Sequence, residues 1–500
     1  MRFAALLVPI ALLTALLAGP NPSRARIPFV FNYENVLGTS LELKIDARNS
    51  ADADKAEAAA RREIDRESKI LSAWDTSSEF SRWAVTLNQP VPVSRELFET
   101  LTLFDRWRNR TGGALDASAE TVVRAWKNAE RENREPSPGE IAAAVDQVRH
   151  PHWRLDRAAQ TATHLDRAPI ALNSFAKSYI AGHAADAALA VPGVSSVVVN
   201  IGGDLVIRGS RPEIVDIADP RCDAENCTPL GAVEIRGRSI ATSGNYRRGV
   251  DIAGHHFSHI VDPRTGLTAE NVISSTVAAP SPADAGAMAT AFSVLTPVES
   301  QRVAASIPGV DYLIVTKTGQ RFASAAWTKL GFALSPAAAA PAPPTPAAWD
   351  PSMELTVNVE LAKFARDVRR PYLAVWVENE SMKPVRTLAL WYNKDRYLVE
   401  MKDWYRMAEA FSGAANFAHS IASATRPPGK YTFKWDGKDD AGKPVPPGKY
   451  TVFIEAAREH GTHQLMQQEM DFSGAPAKVD LKGNTEIAGA SLDYHKIADR

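Results

Sequence analysis

The strongest constraint on the fold is residues 240–266, IATSGNYRRGVDIAGHHFSHIVDPRTG, in which short apolar runs alternate with turn-forming residues. The pattern predicts a strand, a tight turn, a second strand and a final turn at the segment DPRTG. The SGN segment can bend sharply and present backbone N–H groups to an anion, and Arg247 and Arg248 follow it closely. Taken alone, the final turn is explained equally well as an ordinary hairpin turn.

Four segments then occur in the order typical of one family. They are LNSFAKSYIAGHAAD (172–186), VVVNIGGDLVIRG (197–209), SGNYRRG (243–249) and HIVDPRTG (259–266). Together they resemble the signature of the ApbE family, the FAD:protein FMN transferases. The resemblance implies an α+β ApbE-like flavin transferase domain, with mixed sheets and packed helices, over residues 27–334.

The composition changes after this domain. Residues 335–349 are rich in Pro and Ala and predict an extended linker, followed by a strand-rich region, 350–475, and a tail, 476–500. Short strands with Gly and Pro turns indicate a small all-β, immunoglobulin-like sandwich. The region resembles a poorly characterised periplasmic domain that recurs behind ApbE domains. Its segment 435–450 resembles immunoglobulin-like modules such as that of flagellar hook-capping proteins.

The N-terminus predicts export to the periplasm. Arg2 and the apolar run 3–17 indicate a signal peptide within residues 1–25, because the run is shorter than the ~20 residues of a spanning helix. A membrane anchor is the alternative, and no cysteine near the cleavage region supports a lipid anchor. Cys222 and Cys227 are expected to close a small disulfide loop in an oxidising compartment, since two thiols cannot complete a four-ligand zinc site. A net charge of −1 argues against nucleic acid as a partner.

Periodicity and capping residues predict the elements of the first domain. The expected elements are a strand at 31–45, a helix at 51–71, a loop at 71–84, a helix capped by Ser94, a capping box from Ser137 to Glu140, a helix at 173–189, a loop at 211–230 and a helix at 282–295.

A magnesium site follows from the resemblance. In the family, the ion is held by a position in an Ala-Lys-Gly helix motif, which is Ser174 here, and by Asp and Thr of an Ala-Asp-Ala-Leu-Ala-Thr helix. This chain offers Asp284 and Thr290. If Thr290 is aligned with the family's Thr, Gly286 stands at the position of the metal-binding Asp. If Asp284 is aligned with that Asp, Met288 stands at the position of the Thr. Residues six apart lie about 240° round a helix, so Asp284 and Thr290 cannot share one ion in a regular helix. Either the helix begins after Asp284 or the metal site is impaired; Ser174 and Asp284 are also plausible as simple helix caps.

The resemblance also implies a set of flavin contacts. Ala114, Leu115 and Asp116 stand for the family's Ala-Phe-Asp motif, so an aromatic ring is lost and a carboxylate kept. Trp74 can stack on a flavin or adenine ring, or serve as a core residue. Further contacts are expected from four residues, two of which depart from the usual type: Leu37, Ala171, Lys177 and Ile260. In addition, Ser178 replaces a glycine that allows close approach.

His259 is the predicted proton acceptor for a target hydroxyl, because the ordinary pKa of histidine suits proton transfer near neutral pH. A structural hydrogen-bonding role is the alternative. His255, His256 and His259 suggest a zinc cluster only weakly, since His256 and His259 point to opposite faces of a strand.

Three functions remain in competition. The first is Mg²⁺-dependent transfer of FMN from FAD to a Ser or Thr hydroxyl of a periplasmic or membrane flavoprotein, with release of AMP. Its partners would be FAD and an acceptor protein with a Thr or Ser in an exposed loop. The others are a catalytically impaired FAD-binding or scaffold protein, which the departures at Ala171, Ser178 and Gly286 favour, and an FAD pyrophosphatase with water as acceptor.

Overall fold

The computed structural model describes residues 28–222, 224–245, 249–331, 333–334, 349–364, 369–393, 395–411, 422–459 and 461–497. The predicted signal peptide, residues 335–348 of the linker, Arg247 and Arg248 lie outside these ranges. Within them, no helix is long and apolar enough to cross a membrane.

The first domain is built on an eight-stranded antiparallel sheet. Its strands, in spatial order, are β1 (Phe29–Val36), β2 (Thr39–Ala47), β6 (Val194–Ile201), β7 (Asp204–Gly209), β10 (Ser239–Gly244), β13 (Val272–Ala279), β14 (Asp311–Thr316) and β15 (Arg321–Ala323). β2 buries Leu41, Leu43 and Ile45 at alternate positions, as a strand covered on one face requires. The single strand predicted at 31–45 is a hairpin, because Leu37 and Gly38 take positive φ and turn the chain.

Eight helices accompany this sheet in the described residues, and α1, α6 and α7 form its main apolar cover. They are α1 (Ser50–Leu71), α2 (Glu79–Ala84), α3 (Arg95–Arg110), α4 (Ala119–Arg131), α5 (Pro138–Val148), α6 (Ala176–Leu189), α7 (Pro282–Val294) and α8 (Pro297–Ala305). The Ser94 cap and the Ser137–Glu140 capping box form as predicted. The loop predicted at 71–84 contains α2, whose N-terminus is capped by the Ser78 hydroxyl.

Three small sheets complete the domain. They are β3 (Pro90–Pro92), β5 (Thr161–His164) and β4 (Trp153–Asp156); β8 (Glu213–Ile217), β9 (Gly231–Ile235) and β16 (Ala333–Leu334); and β11 (Gly249–Ile252) with β12 (His255–Ser258). β8 corrects the loop predicted at 211–230. Its buried Val215 and Ile217 pack, with the 3₁₀ helix Trp327–Leu330, on the second face of the large sheet.

The C-terminal region is a sandwich of two sheets, as predicted. One contains β21 (Gly429–Trp435), β17 (Met353–Leu361), β25 (Ile487–Lys496) and β24 (Ala477–Lys482); the other contains β20 (Ala422–Ser423), β19 (Pro384–Trp391), β18 (Tyr372–Asn379), β22 (Lys449–Ala457) and β23 (His463–Asp471). A 3₁₀ helix, Asp395–Glu400, and α9 (Lys402–Phe411) cover the outer face of the second sheet. The tail predicted at 476–500 is wrong. β25 is an inner strand that buries Ile487, Leu492 and Tyr494 at the core.

Direct contacts join the two domains. The backbone N–H of Glu225 donates to Thr432 O (2.9 Å), and the Asn226 side chain both donates to Lys434 O and accepts from Lys434 N (2.8 Å each). These residues lie in the loop closed by the predicted disulfide, Cys222–Cys227, which the structure forms. The loop therefore pairs with the edge strand β21 much as a further strand would.

Candidate functional site

The helix pair α6 and α7 packs closely because small residues face each other. A Cβ placed on Gly182 would lie 2.9 Å from Pro282 Cγ, and one placed on Gly286 would lie 2.2 Å from Ser178 Oγ. These two contacts belong to a ladder of contacts between α6 and α7, in which each step is one helical turn. The next step brings Thr290 of α7 to Ser174, just before α6 begins. The helices are thus antiparallel, with contacts repeating every four residues.

Ser174 and Thr290 supply two adjacent oxygen atoms at the end of this ladder. The Thr290 hydroxyl donates to the Ser174 carbonyl oxygen at 3.1 Å. Neighbouring ligands of an octahedral Mg²⁺, each about 2.1 Å from the ion, are about 3 Å apart, so this spacing fits two ligands of one ion. The structure therefore brings together two of the three predicted metal ligands.

Asp284 does not join them. α7 begins at Pro282 with Ser281 as its cap, so Asp284 lies inside a regular helix, about 240° round it from Thr290. Its carboxylate is paired with Arg106 of α3 at 2.9 Å. The idea that the helix begins after Asp284 is wrong, and the prediction of Asp284 as a ligand of the Ser174–Thr290 ion is wrong with it.

Asp204 is the carboxylate that sequence reasoning missed. It begins β7 after the turn Gly202-Gly203, and the Ser178 hydroxyl donates to its Oδ2 at 2.8 Å. Burial raises the pKa of Asp204, while the positive charge of Lys177 and the Ser178 hydrogen bond act to lower it. The substitution of Ser178 for the family's glycine was the signal in the sequence, but its partner became visible only in the fold.

The predicted flavin contacts at 114–116 are held inside the first domain. Ala114 and Leu115 are buried in the main core, so Leu115 presents no open surface for stacking. The Asp116 carboxylate is buried, 2.7 Å from Arg108 Nε, and accepts from the N–H and hydroxyl of Ser118. The N–H of Ala171 donates to Ala117 O at 2.9 Å, which joins two predicted segments of the site.

Trp74 and Leu37 have different surroundings. Trp74 is 79% exposed on the 72–78 loop, so the interpretation of Trp74 as a core residue is wrong. Leu37 lies at positive φ in the β1–β2 turn and packs partly on the main core. An exposed indole remains available to stack on a planar ligand.

The DPRTG segment forms the predicted turn. The N–H of Gly266 donates to Asp262 O at 2.8 Å, and Gly266 has the positive φ that closes the turn. Trp126 Nε1 donates to Gly266 O at 2.9 Å, and a Cβ on Gly113 would meet Arg264 Cγ at 3.6 Å. The turn therefore packs against α4 and the loop that precedes Asp116.

The residues before this turn alternate in exposure. Ser258 and Ile260 are buried, whereas His259 between them is exposed. His256 is also exposed and lies 2.8 Å from Asp251. Ile260 can thus contribute to an apolar wall, and the side chain of His259 is accessible from solvent.

Solved structures of ApbE proteins share the fold of this domain. The ApbE protein of Thermotoga maritima superposes with a TM-score of 0.54 at 25% identity, over 60% of this chain and 99% of that one. The Pseudomonas stutzeri flavinyl transferase ApbE superposes with a TM-score of 0.50 at 22% identity, over 61% and 98%. The fold, together with the curated relatives named below, makes this domain an enzyme of the flavin transferase class.

The chain belongs to the ApbE family, whose model matches residues 37–314. FAD:protein FMN transferases from Klebsiella pneumoniae (28% identity, 57% of this chain and 84% of the relative) and Escherichia coli K12 (29%, 56% and 80%) are similar over the same domain. Residues 354–489 match a family described as a predicted periplasmic protein, DUF2271.

Proposed function

We propose that this chain transfers FMN from FAD to a Ser or Thr hydroxyl of a periplasmic or membrane flavoprotein and releases AMP. The observation that supports this most directly is the Ser174–Thr290 oxygen pair, which lies at the expected place in a domain of the ApbE family. The relatives of that family are named FAD:protein FMN transferases, which supports the transfer of FMN from FAD to a protein.

The reaction is a displacement at phosphorus. The acceptor hydroxyl oxygen forms a bond to the phosphorus of the FMN half, the bond from that phosphorus to the bridging oxygen breaks, and AMP leaves with that oxygen. The positive charge of Lys177 acts on Asp204, and we propose that this side chain, three residues after Ser174, stabilises the diphosphate. Mg²⁺, held by Ser174 O and Thr290 Oγ1, would neutralise phosphate charge when bound.

His259 would take the proton of the acceptor hydroxyl. Its exposure on the strand-to-turn segment after β12 allows a loop of another protein to approach it. Ile260, buried beside it, fixes the backbone from which His259 projects. The exposed ring of Trp74 is proposed as the stacking surface for flavin or adenine.

Export is proposed on two grounds. The Cys222–Cys227 disulfide is typical of an oxidising compartment, and the C-terminal domain matches a family described as periplasmic. We propose that residues 1–25 are removed as a signal peptide and that the acceptor is met in the periplasm.

The test is to incubate the exported form with FAD, MgCl₂ and an acceptor flavoprotein, and to follow flavin by gel fluorescence and intact mass. A mass increase of one FMN on a Thr or Ser of the acceptor is expected. Free FMN and AMP would indicate the pyrophosphatase instead, and unchanged FAD would indicate a binding protein. His259→Asn should lower transfer by about 10²-fold if His259 is the base, whereas the nearby His255→Asn should not.

A catalytically impaired binding protein is the second candidate because Gly286 removes the carboxylate that the family places beside Thr290. In that case FAD would bind and quench or shift its fluorescence, with no covalent product at any Mg²⁺ concentration.

A further inference from the structure

The position of the missing carboxylate on α7 is filled by a different side chain. An added Cβ at Gly286 would lie 2.2 Å from Ser178 Oγ and 3.1 Å from Ser178 Cβ, so a side chain at 286 and the present position of the Ser178 hydroxyl compete for the same space. Where the family pairs a glycine with an aspartate across these helices, this chain has Ser178 and Gly286. The two departures are therefore one coupled exchange.

The same hydroxyl leads to a carboxylate from another element. Ser178 Oγ donates to Asp204 Oδ2 at 2.8 Å, so Asp204 lies one hydrogen bond beyond the place where a side chain at 286 would begin. Among the described residues, Ser178 is the single hydrogen-bond donor to this carboxylate. A partly buried carboxylate with one neutral donor has remaining capacity to bind a cation.

We infer that Asp204 replaces the absent α7 aspartate and, with Ser174 O and Thr290 Oγ1, binds one divalent cation in this chain. The inference rests on the proposed function for the nature of the ion and deepens it. Gly202 and Gly203, both at positive φ, set the turn that brings the first residue of β7 to Ser178 in the first turn of α6. The ligand set is all oxygen, which selects a hard cation such as Mg²⁺ or Mn²⁺.

Lys177 is the competing cation at this carboxylate, because its charge already acts on Asp204. If Lys177 alone neutralised Asp204, the chain would bind no divalent ion there. A metal titration separates these two arrangements without reference to flavin transfer.

The test is Mn²⁺ binding to the full exported chain, followed by the loss of the free Mn²⁺ signal in electron paramagnetic resonance. Wild type is expected to bind one Mn²⁺. Asp204→Asn, which can still accept the Ser178 hydrogen bond, should weaken binding about tenfold or more. Asp284→Asn removes the same charge 240° away on α7 and should leave the affinity within about twofold.

A double variant that restores the family arrangement completes the experiment. The double variant Ser178→Gly/Gly286→Asp restores the family arrangement and should bind Mn²⁺ at least as tightly as wild type, with Asp204→Asn then costing much less. An absence of Mn²⁺ binding by wild type, or equal binding by wild type and Asp204→Asn, would overturn the inference. FMN transfer that persists in either case would leave the proposed function standing, and Mn²⁺ binding without transfer would leave the inference standing alone.

Discussion

Two carboxylates, one in each domain, differ in how many hydrogen-bond donors they already accept from. Glu455 of the C-terminal domain accepts from the N–H groups of Asp403 (3.0 Å) and Trp404 (2.7 Å) and lies 2.6 Å from His463 Nε2. Asp204 accepts one hydroxyl. Burial raises the pKa of both carboxyls. The number of donors already committed separates a structural carboxylate from a candidate ligand.

The partners of Glu455 explain why its cluster is structural. Asp403, Glu455 and His463 are close enough together to hold a metal ion. However, both Glu455 oxygens bind N–H groups in the first turn of α9, which have no partner within the helix. A carboxylate there also interacts favourably with the helix dipole. Glu455 on β22 therefore attaches α9 to the sheet.

The largest effect is expected from Glu455→Ala. Two buried N–H groups and His463 would lose their acceptor, so the free energy of unfolding of the C-terminal domain should fall by about 3 kcal/mol. Asp204→Asn should change stability by less than about 1 kcal/mol, because its one hydrogen bond is kept. Urea unfolding followed by circular dichroism measures both. Similar losses in the two variants would remove the distinction between these carboxylates.

Gly286→Ala tests the surroundings of Asp204 by steric means alone. The added methyl would lie 2.2 Å from Ser178 Oγ, and relieving this contact should cost about 2 kcal/mol. Ser178→Gly should recover most of that loss in the double variant. Thermal unfolding of the four proteins of this cycle gives the coupling energy, and additive effects would show that the two positions do not compete for space.

Local signals predicted the elements whose determinants lie within a few residues. Ser94 and the Ser137–Glu140 capping box fixed two helix starts, and the spacing of Cys222 and Cys227 predicted their disulfide. The tail prediction failed because β25 becomes a strand by pairing with β17, and the exposed edge strand β24 then pairs with β25. Such pairing depends on residues more than a hundred positions away.

The residues of the candidate site show the same difference between determinants that are local in the sequence and contacts that form only in the fold. Ser174 and Thr290 were predicted from motifs, and helical phase already argued against Asp284 in the sequence. Asp204 was not predicted, because its contact with Ser178 joins a strand start to a helix and has no periodicity to reveal it. Family motifs predict candidate ligand positions, whereas contacts between distant elements, such as that of Ser178 with Asp204, become visible only in the packed structure.

Asn226→Asp tests whether the two domains, and hence the two carboxylates that they contain, unfold independently of each other. Aspartate keeps the acceptor for Lys434 N but places a second oxygen against Lys434 O, where the amide had donated. We expect a loss of about 1–2 kcal/mol in docking, seen as two resolved thermal transitions in place of one. A control is Asn484→Asp in an exposed turn, which should leave the calorimetric profile unchanged.

The smallest effect concerns a third carboxylate, Glu34. It is intermediate between Glu455, which has several donors, and Asp204, which has one neutral donor, because Glu34 has one charged partner. Glu34 of β1 pairs with Arg370 of the C-terminal domain at 2.8 Å, and burial raises the pKa of Glu34 to about 7 despite that positive charge. The folded chain therefore binds this proton more tightly than the unfolded chain. The resulting stabilisation is complete below the unfolded pKa of 4.5 and is lost as the pH rises through about 7.

Glu34→Gln removes this titration. Its stability relative to wild type should rise by about 1 kcal/mol between pH 5 and pH 8, a modest value because the pair is partly solvated. Differences in Tm between the variants, measured across that range, isolate Glu34 because the other titrating groups are shared. The exposed Asp65→Asn is the matched control and should give a flat difference. A flat difference for Glu34→Gln as well would mean that Arg370 compensates the buried charge completely, which would place Glu34 with Glu455 as a structural carboxylate.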